Sequence, residues 1–173
     1  RKIREAINDF VKSFDKTSGK FEIKKLEDIK EESSTVEFKS SWGVDMEKTG
    51  IPPRELKKDI LKSVCAFANT EGGQIYIGIN DLGKPIGIDA DLSTIKSTNK
   101  LDRLKNDIQN MAYQNLKRGA LQNTGFNDDI TEAVTTGGET ILIISVDPIK
   151  QDPPVTIGGC LLYTSPSPRD FTE

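Results

Sequence analysis

The chain has 173 residues, 35% of them hydrophobic and 29% charged, enough for one domain with a proper core and too few for two. A formal net charge of −3 argues against a strongly basic nucleic-acid binder, so any nucleic-acid contact has to come from a local patch. There is no His, which excludes imidazole acid–base chemistry and the usual His-containing zinc sites, and two Cys cannot build a disulfide framework. A reducing, cytoplasmic compartment follows as the expectation.

In chain order, Arg1 to Phe14 predicts an amphipathic helix, with Ile3, Ile7, Phe10, Val11 and Phe14 on one side. Asp15 to Lys20 is a turn and a boundary, so residues 1–20 read as the end of a segment lying upstream, since Arg1 is not an initiator Met. Phe21 to Ile29 is a short lead-in. Ser34 to Ser40 alternates as a strand, with Val36 and Phe38 toward the core and Thr35, Glu37 and Lys39 the other way. Trp42 to Pro53 reads as a loop, and a helix is predicted over Arg54 to Asn69, opened by proline in its first turn.

Leu61 to Ile88, LKSVCAFANTEGGQIYIGINDLGKPIGI, is the unit on which the rest is arranged. Ile60, Leu61, Val64, Cys65, Phe67 and Ala68 recur at helical steps, and Asn69-Thr70-Glu71-Gly72-Gly73 stops the helix. Gln74 to Ile79 is a strand, Asn80 to Gly83 a hairpin-type turn, and Lys84 to Ile88 a short returning strand. Asp89 to Asn99 reads as loop and Leu101 to Leu116 as a second helix. Ile130 to Thr135 and Thr140 to Val146 form a hairpin, and Asp147 to Pro154 ends it with three prolines. Elements in this order predict an α+β fold: a single domain, residues 21–159, with a mixed β-sheet and helices packed against it. The longest apolar run, near Ile141 to Val146, is far too short to span a membrane.

Two signatures carry a resemblance. ESSTVEFKS at Glu32 to Ser40 and AFANTEGGQIYIGINDLGKPIGI at Ala66 to Ile88 together resemble the Schlafen AlbA-type domain, a family labelled as DNA-binding, from about Leu26 to Pro154. The resemblance implies nucleic-acid binding, of RNA or DNA, by one module of a larger intracellular regulatory or defence protein with flanking domains. Pairing with a second copy is a further implied option. Family members continue past the proline-rich segment into another strand. Here Cys160 to Asp170, CLLYTSPSPRD, instead resembles a translated sequencing-library adapter, so residues 160–173 are expected to be an unstructured artefact and the domain incomplete.

Three constellations follow. The first is acidic: relatives that cut RNA are thought to hold a divalent metal, Mg²⁺ or Mn²⁺, on three carboxylates, and matching position by position gives Glu32, Glu37 and Asp81 as metal-holding and catalytic groups. That would make the chain a metal-dependent endoribonuclease acting on structured RNA. Such ions take hard oxygen ligands and lower the pKa of a bound water, whereas taken alone an exposed strand Glu and a turn Asp are ordinary surface and turn residues. The second is basic: Lys39, Arg54, Lys57, Lys58 and Lys62 lie on the first helix and its facing strand, and Lys96, Lys100, Arg103, Lys105, Lys117 and Arg118 on the second, any of which would contact phosphates without reading sequence. Acidic neighbours (Glu55, Asp59, Asp102 and Asp107) dilute that field, and Trp42 and Tyr76 are candidate stacking surfaces. The third is the turn of Asn69, Thr70, Gly72 and Gly73, whose backbone amides would form a small anion nest for a phosphate or nucleotide. An ATP-binding role, implied by older family labels, has little sequence support: neither G-x-x-x-x-G-K-S/T nor G-x-G-x-x-G occurs. Cys65, on an apolar helix face, reads as a buried structural thiol.

Overall fold

The computed structural model describes residues 21–22, 31–118, 130–149 and 154–162. The elements are β1 (Phe21–Glu22), β2 (Val36–Lys39), α1 (Pro53–Ala68), β3 (Gly73–Ile77), α2 (Asp89–Ser93), α3 (Lys100–Asn115), β4 (Leu116–Arg118), β5 (Ile130–Val134), β6 (Thr140–Val146), β7 (Val155–Ile157) and β8 (Cys160–Leu161). The helix expected over Arg1 to Phe14 lies outside the described residues. A five-stranded sheet runs in the order β1-β5-β6-β3-β2, and a second sheet runs β4-β7-β8. β3 pairs parallel with β2 and antiparallel with β6, and β5–β6 is the predicted hairpin, closed by Thr135 N–H to Glu139 O at 2.9 Å. The fold is therefore α+β with a mixed sheet.

α1 forms where the apolar spacing predicts it, and its buried side chains are Ile60, Leu61, Val64, Cys65, Phe67 and Ala68. They pack on Ile75, Ile77, Leu142 and Ile144 of the sheet and on Leu104, Ile108 and Ala112 of α3. Each large apolar side chain so buried contributes about 1.5–3 kcal/mol. The turn after α1 brings backbone against backbone. Gly72 has φ +80°, and a Cβ there would stand 2.6 Å from Val146 O. A Cβ on Gly73 would stand 2.7 Å from Thr35 O and 2.8 Å from the Phe67 ring. Only a residue without a side chain lets helix and strand approach this closely.

Four expectations need correction. The sheet is buried on both faces, because Phe38, Tyr76, Ile79, Ala133, Ile141 and Ile143 form a second cluster opposite α1. Glu37 and Lys39, in register with Ile75 and Ile77, therefore stand on the α1 side, not on a solvent face. Asp89–Ser93, read as loop, is the short helix α2. The segment after Gly83 returns without becoming a strand, held by Ile86 N–H and Gly87 N–H on Gly78 O at 2.8 and 3.0 Å. Cys160 and Leu161, expected to be unstructured, pair with β7 across Gly158–Gly159; residues 163–173 lie outside the described residues.

Asn69 ties the second sheet to α1. Its amide nitrogen donates to Val155 O (2.8 Å) and Leu162 O (2.9 Å), and its carbonyl oxygen accepts from Val155 N–H (2.8 Å). Cys65 Sγ, buried as expected, lies 3.3 Å from Val155 O. Leaving a buried N–H unpaired costs about 1–3 kcal/mol. Asn69→Ala should therefore lower stability in urea unfolding by about 2 kcal/mol and speed amide exchange in β7 before it does so in β3.

Candidate functional site

β2 lies at one edge of the sheet, and the sequence-predicted carboxylates take three different places around it. Glu32 turns back along the strand and accepts the Phe38 N–H at 2.9 Å, closing one of the outward-facing amides of that edge. Glu37 bonds Lys39 Nζ at 2.9 Å, and Asp59 of α1 bonds the same nitrogen at 3.0 Å. Lys39 is thus held between two carboxylates. Burial works against its charge, but the two acidic partners outweigh it and leave its pKa raised. Asp81, exposed in the turn after Asn80, borders a hollow of about 180 Å³ that Lys39, Asp59 and Met46 also line. Glu37 and Asp59 are therefore joined through Lys39, Asp81 shares a hollow with Lys39 and Asp59, and Glu32 is spent on the strand edge. Among the described residues no group of three or more Asp, Glu or Cys is placed to hold a metal ion.

The basic residues divide in the same way. Lys58 pairs with Glu55 (3.1 Å) and Lys62 with Asp59 (3.7 Å), both one turn apart on the exposed side of α1, and Arg54 is exposed at its start. Lys57 does not point to solvent as the helical spacing suggests. Its Nζ bonds Asp107 Oδ2 at 2.6 Å and lies 5.7 Å from the centre of the Trp42 ring.

The glycine turn is structural. Thr70 Oγ1 donates to Ala66 O at 2.9 Å, Gly72 N–H to Phe67 O at 2.9 Å, and Asn69 is the tie to β7. Those donors are already used, so the anion nest expected at Asn69, Thr70, Gly72 and Gly73 has lost its principal amide. Neither aromatic is a stacking surface: Tyr76 is 3% exposed and meets Phe38 edge-to-face at 6.1 Å, and Trp42 is 1% exposed.

What holds Trp42 lies far from it along the chain. Asp91, a buried carboxylate on α2, accepts the Trp42 N–H (3.0 Å) and the Gly43 N–H (2.9 Å). The indole Nε1–H donates to Asp107 Oδ2 at 2.7 Å, the same oxygen that Lys57 reaches. Burial raises the pKa of Asp91 against the lowering effect of its two amide donors and of Lys57. For Asp107, burial is outweighed by hydrogen bonds from Lys57 and Trp42 and by the charges of Lys57 and Arg103, so its pKa is lowered. Beside this knot opens a cleft of about 480 Å³ between α1, α2 and α3, bordered by Lys57, Lys96, Ser97, Arg103, Asp91 and Asp107.

The sequence model of the family described as Schlafen, AlbA_2 matches residues 32–166. The chain belongs to that family. Two solved structures resemble this Schlafen AlbA_2 domain. One is the N-terminal domain of a Nitrosomonas europaea protein described as ATP-dependent DNA helicase RecG-related, with 21% identity over 82% of this chain and 87% of that one, and a TM-score of 0.45. The other is a Corynebacterium diphtheriae protein at 19% identity, covering 72% of this chain and 19% of that one, also with a TM-score of 0.45. No curated protein matches the chain.

Asp107 offers a test of the knot in this AlbA_2 domain. Its folded pKa lies below the unfolded one, so its contribution is complete above about pH 4 and is lost as pH falls through the folded value. Its side chain is 43% exposed, and a charged hydrogen bond discounted for screening is worth about 1 kcal/mol. Asp107→Asn should cost about that much at pH 7 and clearly less at pH 3 in urea unfolding; equal losses at both would indicate lost packing.

Proposed function

We propose that this chain is a nucleic-acid-binding module of a larger protein, laying the exposed side of α1 against backbone phosphates. The observation that carries the reading is the charge of that one helix. With Lys57 turned to Asp107, α1 holds Arg54, Lys58 and Lys62 against Glu55 and Asp59, a net of +1 on that side in a chain whose total is −3. The Lys58–Glu55 and Lys62–Asp59 pairs are at the surface, where such pairs are worth about 0–1 kcal/mol. A phosphate can displace them at little cost. Contacts of this kind position a duplex or strand and are released by salt. Membership of the Schlafen AlbA_2 family supports the same reading.

Replacing Arg54, Lys58 and Lys62 by Gln should weaken binding of RNA and DNA fragments uniformly across sequences. The slope of log affinity against log salt should fall by about one per lost contact. Fluorescence anisotropy at several salt concentrations reads both, and an unchanged slope would reject α1 as the contact surface.

A second reading, metal-dependent cutting of structured RNA, draws on Glu37 and Asp59 at Lys39 and on Asp81 in the hollow that Lys39 and Asp59 line. Under it, end-labelled transfer RNA is cleaved in Mn²⁺, spared in EDTA, and spared by Glu37→Gln. RNA left intact in Mn²⁺ removes the reading while leaving the binding proposal standing.

A further inference from the structure

We infer that the cleft between α1, α2 and α3 is a binding site for a phosphate monoester, carried by a single nucleotide or by the end of a nucleic-acid strand. The inference deepens the nucleic-acid reading but uses a surface separate from the exposed side of α1. The cleft's volume, about 480 Å³, lies within the roughly 300–1,000 Å³ of small-molecule sites. Its border combines two kinds of surface. Pro53, Ile95 and Leu104 are apolar, while Lys57, Lys96 and Arg103 bring three cations from three successive parts of the chain. Ser97 adds a hydroxyl group, whereas that of Thr94 donates to Asp91 O at 2.7 Å.

The charges do not cancel. Lys57 is matched by Asp107 at 2.6 Å. Asp91 is turned inward, with its two oxygens occupied by the Trp42 and Gly43 amides. Lys96 and Arg103 are exposed and make no ion pair among the described residues, although the charge of Arg103 is felt at Asp107. With both carboxylates ionised the border still carries one positive charge, and Lys96 and Arg103 are its exposed cations. A doubly charged phosphate monoester is drawn to the two exposed cations of this cleft more strongly than the singly charged diester of a chain interior is. A guanidinium also offers paired N–H donors to two phosphate oxygens.

The single tryptophan of the chain makes the site observable. The Trp42 indole donates to Asp107 and lies beneath the Lys57 ammonium, so a phosphate drawing Lys57 from Asp107 changes the field on the ring. The probes are pyrophosphate, adenosine 5′-monophosphate, adenosine, and a short oligonucleotide with either a 5′-phosphate or a 5′-hydroxyl. Affinity is read by calorimetry and location by Trp42 emission. Pyrophosphate and the monophosphate should bind and shift the emission, and adenosine should bind at least tenfold more weakly. Arg103→Gln and Lys96→Gln should each weaken phosphate binding about tenfold. Both side chains are exposed, so their loss leaves the core intact.

A 5′-phosphate preference that vanishes in Arg103→Gln identifies the strand end as the source. Binding of the monophosphate with no such preference identifies a free nucleotide. Absence of calorimetric binding by both small phosphates, or equal binding by Arg103→Gln and Lys96→Gln, overturns the inference. Because the α1 variants test strand binding independently, failure of one proposal leaves the other measurable.

Discussion

The site depends on one buried carboxylate. Asp91 is taken almost wholly out of water, which is tolerable for an acid only when its oxygens are hydrogen-bonded, and both accept a backbone amide from the loop after β2. That fixes the path of Trp42 and Gly43. With the backbone held, the indole ring is placed so that its N–H meets Asp107, and Asp107 in turn takes Lys57 away from solvent. Four elements, the β2 loop, α1, α2 and α3, are thereby tied by polar contacts above a core that is otherwise apolar. The apolar packing of α1 on β3 and β6 supplies the bulk of the stabilisation. The Asp91 knot decides how the helices sit relative to one another and hence where the cations come to lie.

Much of the frame was legible because its signals are local. Thr140–Val146 is the strand that its Ile-rich run predicts, and α1 and α3 differ from expectation by a residue at each end. The Gly72–Gly73 pair marked a helix stop, and the structure adds the reason in the Val146 carbonyl and the Phe67 ring. What was not legible depends on residues far apart. Trp42 looks like a surface aromatic in a Gly- and Pro-containing loop, yet its partners lie 49 and 65 positions further along. The β4–β7 pairing and the Asn69 tie are equally remote in sequence. α2 is too short to show a period.

The misplacement of Glu37 and Lys39 has a different origin. Alternation along a strand says which residues share a face, but not which face carries the helix. Phe38 and Val36 do sit together against apolar neighbours, so the pattern was sound; both faces are buried, and the charged pair shares its side with α1. Lys39 then becomes a bridge between strand and helix through Asp59. The same ambiguity governed Lys57, where helical spacing places a side chain on a face and a long flexible chain still chooses its partner. Cys65, a short side chain on the apolar face of the helix, has no such choice and is buried as its spacing predicts.

The Glu32 contact bears on how copies of this domain can meet. An unprotected sheet margin invites another chain to continue the ladder, and many proteins associate or aggregate by that route. Here a side chain from the segment just before the strand occupies the Phe38 amide, as an incoming strand's carbonyl otherwise would. A second copy that tried to add at this side would have to displace a carboxylate and bring its own backbone toward that negative charge. Assembly through a continuous sheet is disfavoured along this border.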